Sequence, residues 1–188
     1  MHIMLFGGSF DPPHLGHWQI AHTIIEKKIA NQVWFIPCYS HPFAKDLSLP
    51  KHRLNMISFL TNHAILINDW EIKNKGTSYS FNTLKHFQLT QPDNTFSWLI
   101  GSDQLTGFIK WKNYQDILKS THVYVYPRKG FPFEPLYKNM IPLENFPLVT
   151  ISSTQVRKAV KENKSIDNLV LVKVEEYLKK EKLYIMSS

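Results

Sequence analysis

An α/β fold with a doubly wound, mainly parallel sheet and a C-terminal helical segment is predicted by three observations. Short apolar runs rich in β-formers alternate with stretches whose apolar residues recur at helical spacing. Several of these runs stop at Gly or Pro, as short buried strands do. The 188 residues suit one domain, spanning 1–188, with a proper core. In such a sheet, ligands gather at the carboxyl ends of the strands, where the strand order reverses.

The elements follow in order. "HIMLF" is a strand stopped by Gly7-Gly8, and apolar residues 15, 18, 21, 25 and 29 predict a helix from Leu15 to Ile29. "QVWFIP" is a second strand ended by Pro37; "KHRLNMISFLTN" reads as helix and "AILINDWEI" as extended. A helix over Ser80–Leu89 precedes the strand "TFSWLIG", and a helix over Gln115–Lys119 precedes the strand "HVYVYP". Four prolines between Arg128 and Pro147 predict a long surface loop. "LVTI" is a final strand candidate, and "SSTQVRKAVKEN" and "VKVEEYLKKEKL" are helices of a C-terminal part, 151–184.

Composition narrows the class. Hydrophobic residues at 43% and charged residues at 20% are those of a globular protein. No stretch approaches a membrane span, and the opening apolar run is too short for a signal peptide. Cys38 is the only cysteine, so no intrachain disulfide forms and a reducing cytoplasm is the expected home. The net charge of +7 invites a nucleic-acid reading. Yet 14 Lys/Arg face 10 acids through Thr150 and 8 face 5 beyond it, an even excess rather than a basic stripe. Small anionic substrates suit it equally well. No sequence signal bears on oligomeric state.

The stretch "GGSFDPPHLGH" carries the chemistry. Gly7 and Gly8 let a backbone turn and approach a ligand. A helix starting near His14 offers free amides and a positive dipole end, a ready anion site into which His14 and His17 point as donors. Metal ligation competes, but no third ligand stands nearby. The run is no Walker loop, since no Gly-Lys-Ser/Thr follows, and it lacks the glycine spacing of a dehydrogenase. His22, His63, His86 and His122 read as structural or solvated. A second polar turn, Ser152-Ser153-Thr154, opens a helix carrying Arg157, another anion site with a charge-assisted fork. Two such sites in one α/β domain are what a triphosphate requires.

Together "GGSFDPPHLGH" and "ISSTQVR" resemble the signatures of the nucleotidylyltransferase superfamily. The likeness is closest to bacterial nicotinate-nucleotide adenylyltransferases. It extends through "VWFIP", His52-Arg53, "GTSYSFNTL", "GSDQL" with Trp111, and the ending "LVKVEEYLKKEKLY". The resemblance implies a Rossmann-like fold and adenylyl transfer from ATP to nicotinate mononucleotide in NAD biosynthesis, with pyrophosphate released. It implies Mg²⁺ as counter-ion, held mainly by water and substrate oxygens, and no dedicated protein metal site. It places ATP on Gly7, Gly8, Ser9, Phe10, His14, His17, Ile151, Ser152, Ser153 and Arg157, with His14 and His17 catalytic.

The acceptor residues implied are Lys45, Tyr79, Ser80, Thr83, Asp103 and Trp111. Trp111 would stack on the pyridine ring and Asp103 bind a ribose hydroxyl, with helix capping the competing reading for Asp103. Tyr79 and Ser80 would sit beside the nicotinate carboxylate. This chain departs from the family at Ser80 for Thr, Asn82 for Asp, Ser102 for Ala, and Lys129 in "RKG" for Pro. Nicotinamide mononucleotide or another phosphorylated acceptor is the nearest alternative, and a basic RNA-binding module the alternative of another class. The latter leaves the paired phosphate motifs unexplained.

Overall fold

The computed structural model describes residues 1–41 and 46–185. Six strands form one sheet in the order β3-β2-β1-β4-β5-β6, every neighbouring pair parallel. They are β1 (His2–Gly8), β2 (Gln32–Pro37), β3 (Ile65–Ile67), β4 (Thr95–Gly101), β5 (Val123–Tyr126) and β6 (Met140–Pro142). The helices are α1 (Leu15–Glu26), α2 (Pro50–Ser58), α3 (Trp70–Asn74), α4 (Ser80–Thr90), α5 (Tyr114–Ser120), α6 (Ser153–Lys161) and α7 (Val172–Lys180). A 3₁₀ segment, Ser102–Lys110, follows β4.

Alternation along β1 explains why helices cover both faces. Met4 and Phe6 enter one core with Ile20 and Ile24 of α1, Met56 of α2, Val156 of α6 and Val174 of α7. Ile3 and Leu5 point the other way, to Leu84 and Phe87 of α4, Phe108 and Ile117. Because β1 is flanked by β2 on one side and β4 on the other, the order reverses between β1 and β4. The crevice of the fold lies there. Among the described residues, no helix is long and apolar enough to cross a membrane.

Some boundaries differ from the sequence reading, each for a local reason. Helix α1 stops at Glu26, not Ile29, because Lys28 turns left-handed (φ 54) and the Ile29 amide reaches back to the Ile24 carbonyl. Its buried face is Ile20, Ala21 and Ile24; Trp18 and Ile25 flank it, half-buried. The extended run "AILINDWEI" ends as a strand at Ile67, where the Asn68 side chain accepts the Trp70 amide and starts α3. The proline-rich loop holds β6, an edge strand, where Pro142 leaves no ladder bond unmade. Since β6 occupies the free side of β5, "LVTI" is left with a single bridge, Val149 to Arg128, and is no strand.

Candidate functional site

At the carboxyl ends of β1 and β4 opens a cleft of about 880 Å³. Gly7, Gly8, Ser9, Phe10, His14, His17, Tyr79, Ser80, Asp103, Trp111, Ser152, Ser153 and Arg157 all line it. Ile151 does not line it: its side chain packs on the core, and its carbonyl accepts from Arg128 Nη1 at 2.5 Å. Thr83 does not line it either. It is fully buried and donates its hydroxyl to Glu71, which does face the cleft. Lys45 lies outside the described residues.

At the first helix mouth, Gly7 and Gly8 are still part of the strand, and the left-handed turn comes at Phe10 (φ 49). Close approach is what these glycines provide. A Cβ on Gly7 would stand 2.6 Å from the Trp98 ring, and one on Gly8 3.0 Å from the ring of Phe10. His14 caps α1, and its backbone N–H donates to His17 Nδ1 at 3.1 Å. That bond leaves the proton of a neutral His17 ring on Nε2. The two imidazoles stack with centroids 3.7 Å apart.

Both rings are held neutral. Burial, with the nearby Arg128 charge, lowers the His14 pKa from 6.5 to about 3, and His14 Nδ1 is enclosed without a hydrogen-bond partner. The His17 ring keeps some surface on the cleft, yet protein crowds it closely. That crowding, then His14 and Arg128, pushes its pKa well below the usual histidine range.

The second mouth is clamped to the first. Ser153 Oγ donates to the Pro12 carbonyl at 2.8 Å, and Arg157 Nη1 donates to the Asp11 carbonyl at 2.6 Å. Ser152 Oγ caps α6 by accepting from the Gln155 amide at 3.2 Å. Both serine hydroxyls are therefore engaged within the protein. What remains for a ligand is the Ser152 hydroxyl proton, the amides of Ser153 and Thr154, which have no acceptor inside the helix, and the charge of Arg157.

Three residues missed by the sequence reading complete the walls. Arg128, just past β5, lies 3.6 Å from Asp103 and between the two mouths through its bond to Ile151; its signal was its place at a strand's carboxyl end. Asp103 thus pairs with Arg128 and does not cap the 3₁₀ segment. Glu71 is 5% exposed, and burial raises its carboxyl above the usual range against the Thr83 and Ser78 hydroxyls. It sits in a run read as extended, which hid it. Lys112 places its ammonium 4.6 Å from the Tyr79 ring centroid. His22, His63, His86 and His122 do not line the cleft.

Two helix mouths facing one crevice at the reversal point of a parallel sheet define a nucleotide-handling α/β protein. Residues 5–159 match the cytidylyltransferase-like family model. A protein of Caldicellulosiruptor saccharolyticus is 35% identical, covering 98% of this chain and 99% of its own. One of Cytophaga hutchinsonii is 36% identical, covering 98% of each. Another, of Methylacidiphilum infernorum, is 32% identical over 97% of this chain and 92% of its own. All three carry the name probable nicotinate-nucleotide adenylyltransferase. The Plasmodium falciparum nicotinic acid mononucleotide adenylyltransferase complexed with NaAD shares the fold, with a TM-score of 0.82 at 22% identity over 97% of both chains. The chain belongs to the cytidylyltransferase-like family and, within it, to the nicotinate-nucleotide adenylyltransferases.

Proposed function

We propose that the chain acts as one nucleotidylyltransferase unit over 1–188 and transfers the adenylyl group of ATP to nicotinate mononucleotide. The products are nicotinate adenine dinucleotide and pyrophosphate, a step of NAD biosynthesis in the cytoplasm. The observation that carries this reading is the joining of two helix mouths from opposite ends of the chain into one wall of the cleft.

The acceptor's 5′-phosphate attacks the α-phosphate of ATP in line, so no side-chain nucleophile takes part, and catalysis is positioning plus neutralisation of charge. His14 and His17 contact the phosphates from the mouth of α1, His17 donating through Nε2. A phosphate anion beside the rings favours their cationic form, so charge develops there only as the nucleotide arrives. Arg157, Arg128 and the α6 amides take up charge on the leaving pyrophosphate. Gly7 to Phe10 admit the nucleotide to the backbone. A divalent cation such as Mg²⁺ would arrive as part of the ATP substrate and supply counter-charge to its phosphates. Trp111 stacks on the pyridine ring, Asp103 binds a ribose hydroxyl, and the amides at Tyr79 and Ser80 meet the carboxylate. Thr83 acts from behind, through Glu71.

Pyrophosphate release with ATP, Mg²⁺ and each of the nicotinate and nicotinamide mononucleotides tests this. Rapid release with a nicotinate preference is expected, and silence with both, in folded protein that binds ATP, refutes it. Replacing His17 with Ala is expected to slow turnover by about 10²-fold or more, while loss of its bond to the His14 amide and its ring contacts costs only about 1–2 kcal/mol of stability.

A further inference from the structure

The acceptor end of the cleft holds a cation that the phosphate chemistry leaves unused. Lys112 lies between the 3₁₀ segment and α5, directly after Trp111, and its ammonium rests over the Tyr79 ring. Tyr79 caps the N-terminus of α4. The lysine therefore bridges the two walls that carry Trp111 on one side and Tyr79 and Ser80 on the other, and all four residues line the cleft. Lys112 is exposed, and an exposed lysine ordinarily samples many rotamers; the ring face gives this one a preferred seat.

Charge at this end is biased toward positive. Lys110 and Lys112 flank Trp111 on the cleft. The first turn of α4 carries no acidic residue, Asn82 standing in it, so its positive dipole end is uncompensated. Among the described residues, the acids on the cleft are Glu71, Asp103 and Asp46; Asp103 is paired with Arg128, and the Glu71 carboxyl, raised by burial, is turned to the Thr83 hydroxyl.

We propose that Lys112 is a specificity-determining residue, selecting an acceptor whose pyridine ring bears a carboxylate over the uncharged carboxamide analogue. The proposal rests on the adenylyl-transfer reading above. A ring between Tyr79 and Trp111 presents its substituent to the α4 amides and to the Lys112 ammonium. Backbone amides already favour the carboxylate, whose second oxygen accepts where a carboxamide NH2 cannot; the Lys112 side chain adds to that preference. An ammonium discriminates by charge. When the acid binds, Lys112 exchanges the Tyr79 face for a carboxylate, and when the amide binds it has nothing to gain by leaving the ring.

The experiment compares the wild type with Lys112→Met, which keeps the apolar stem, and Lys112→Arg, which keeps the charge. Steady-state constants are measured for ATP and for both mononucleotides, at low and high salt. Lys112→Met is expected to lose about tenfold in kcat/KM for nicotinate mononucleotide, while nicotinamide mononucleotide and the KM for ATP change by less than about twofold. Lys112→Arg should retain most of the preference. High salt should erode the preference in the wild type and not in Lys112→Met. Equal losses for both acceptors would reduce Lys112 to packing, and an unchanged preference would show that its charge is not read; either overturns the proposal. If the wild type turns over neither acceptor, the adenylyl-transfer reading fails separately. Calorimetric Kd values of the two mononucleotides then decide: the same tenfold shift of their ratio supports Lys112, and its absence, or no binding, overturns it.

Discussion

Acidification is expected to destabilise this protein through His14, and the size of the effect follows from its burial. The ring is 4% exposed, encloses an unpartnered Nδ1, and stands near Arg128, so the folded state keeps it neutral down to about pH 3. An unfolded histidine takes up its proton near 6.5. Stability owed to the neutral ring is thus fully present above 6.5 and is lost as the pH falls toward 3, where the folded ring also protonates. At about 1.4 kcal/mol for each pH unit below 6.5, His14 alone costs about 2 kcal/mol between neutrality and about pH 5. That is a large part of the roughly 5–15 kcal/mol that holds a domain together. His17, shifted the same way, adds to it. The assay is urea unfolding of the wild type and of His14→Asn at pH 7 and at about pH 5. Any fixed cost of the substitution cancels in the pH difference, as do the other titrating groups. The variant should lose about 2 kcal/mol less than the wild type on acidification. Equal losses in the two proteins would refute the reasoning, because the ring would then be free to charge in place.

Three further outcomes are expected. Arg53 is fully buried and donates to the carbonyls of Ser48, Ser9 and Tyr39 at 3.0, 3.0 and 3.5 Å; Arg53→Met should lower stability by about 2–4 kcal/mol, and an unchanged urea midpoint would contradict that. In Gly16→Ala the new methyl would stand 2.6 Å from Val149 Cγ1 and 3.1 Å from the His14 ring. It should cost about 1–3 kcal/mol and slow pyrophosphate release by displacing His14, so a variant with normal turnover argues against that role. Tyr184→Phe removes the donor to the Asp11 carboxylate; it should raise the KM for ATP while leaving the acceptor KM alone, and a shift confined to the acceptor would count against it.

The strands were legible because their apolar runs are buried on both faces, where hydrophobicity alone suffices. Strand β2 begins and ends where "QVWFIP" does, and β4 where "TFSWLIG" does. Of the two edge strands, β3 was legible inside the extended run "AILINDWEI" and β6 was not. Strand β6 is three residues inside a proline-rich stretch, and its existence depends on the free side of β5, which is a fact of the sheet and not of the segment. The 3₁₀ segment after β4 likewise has no periodic signal of its own.

The site divided in the same way. Residues in the two motifs, Ile151 excepted, reached the cleft because a strand-to-helix turn carries its own local grammar, and the acceptor residues Tyr79, Ser80 and Trp111 came through resemblance. Thr83 failed because position within a motif does not say which way a helical side chain points; one turn beyond Tyr79 it faces Glu71 instead. Arg128, Glu71 and Lys112 arrive singly from three different elements, so no spacing rule gathers them.

Asp11 shows why the two motifs act together although 140 residues of chain separate Pro12 from Ser153. Its carbonyl accepts from Arg157, one carboxylate oxygen accepts the Ser48 amide, and the other accepts the Tyr184 hydroxyl. The residue is 3% exposed. Three segments distant in sequence thus meet on one buried acid, placed just before the helix mouth that holds His14 and His17. The sheet positions the first mouth by itself, since β1 leads directly into it. It cannot position the second, because Val149 makes only a single bridge beside β5 before α6 begins. The distance between the two helix mouths is therefore set by the Asp11 and Pro12 carbonyls and by a C-terminal tail whose Tyr184 does not line the cleft. Changes in that tail should read out as changes in nucleotide binding, which is how a residue remote from the chemistry comes to matter for it.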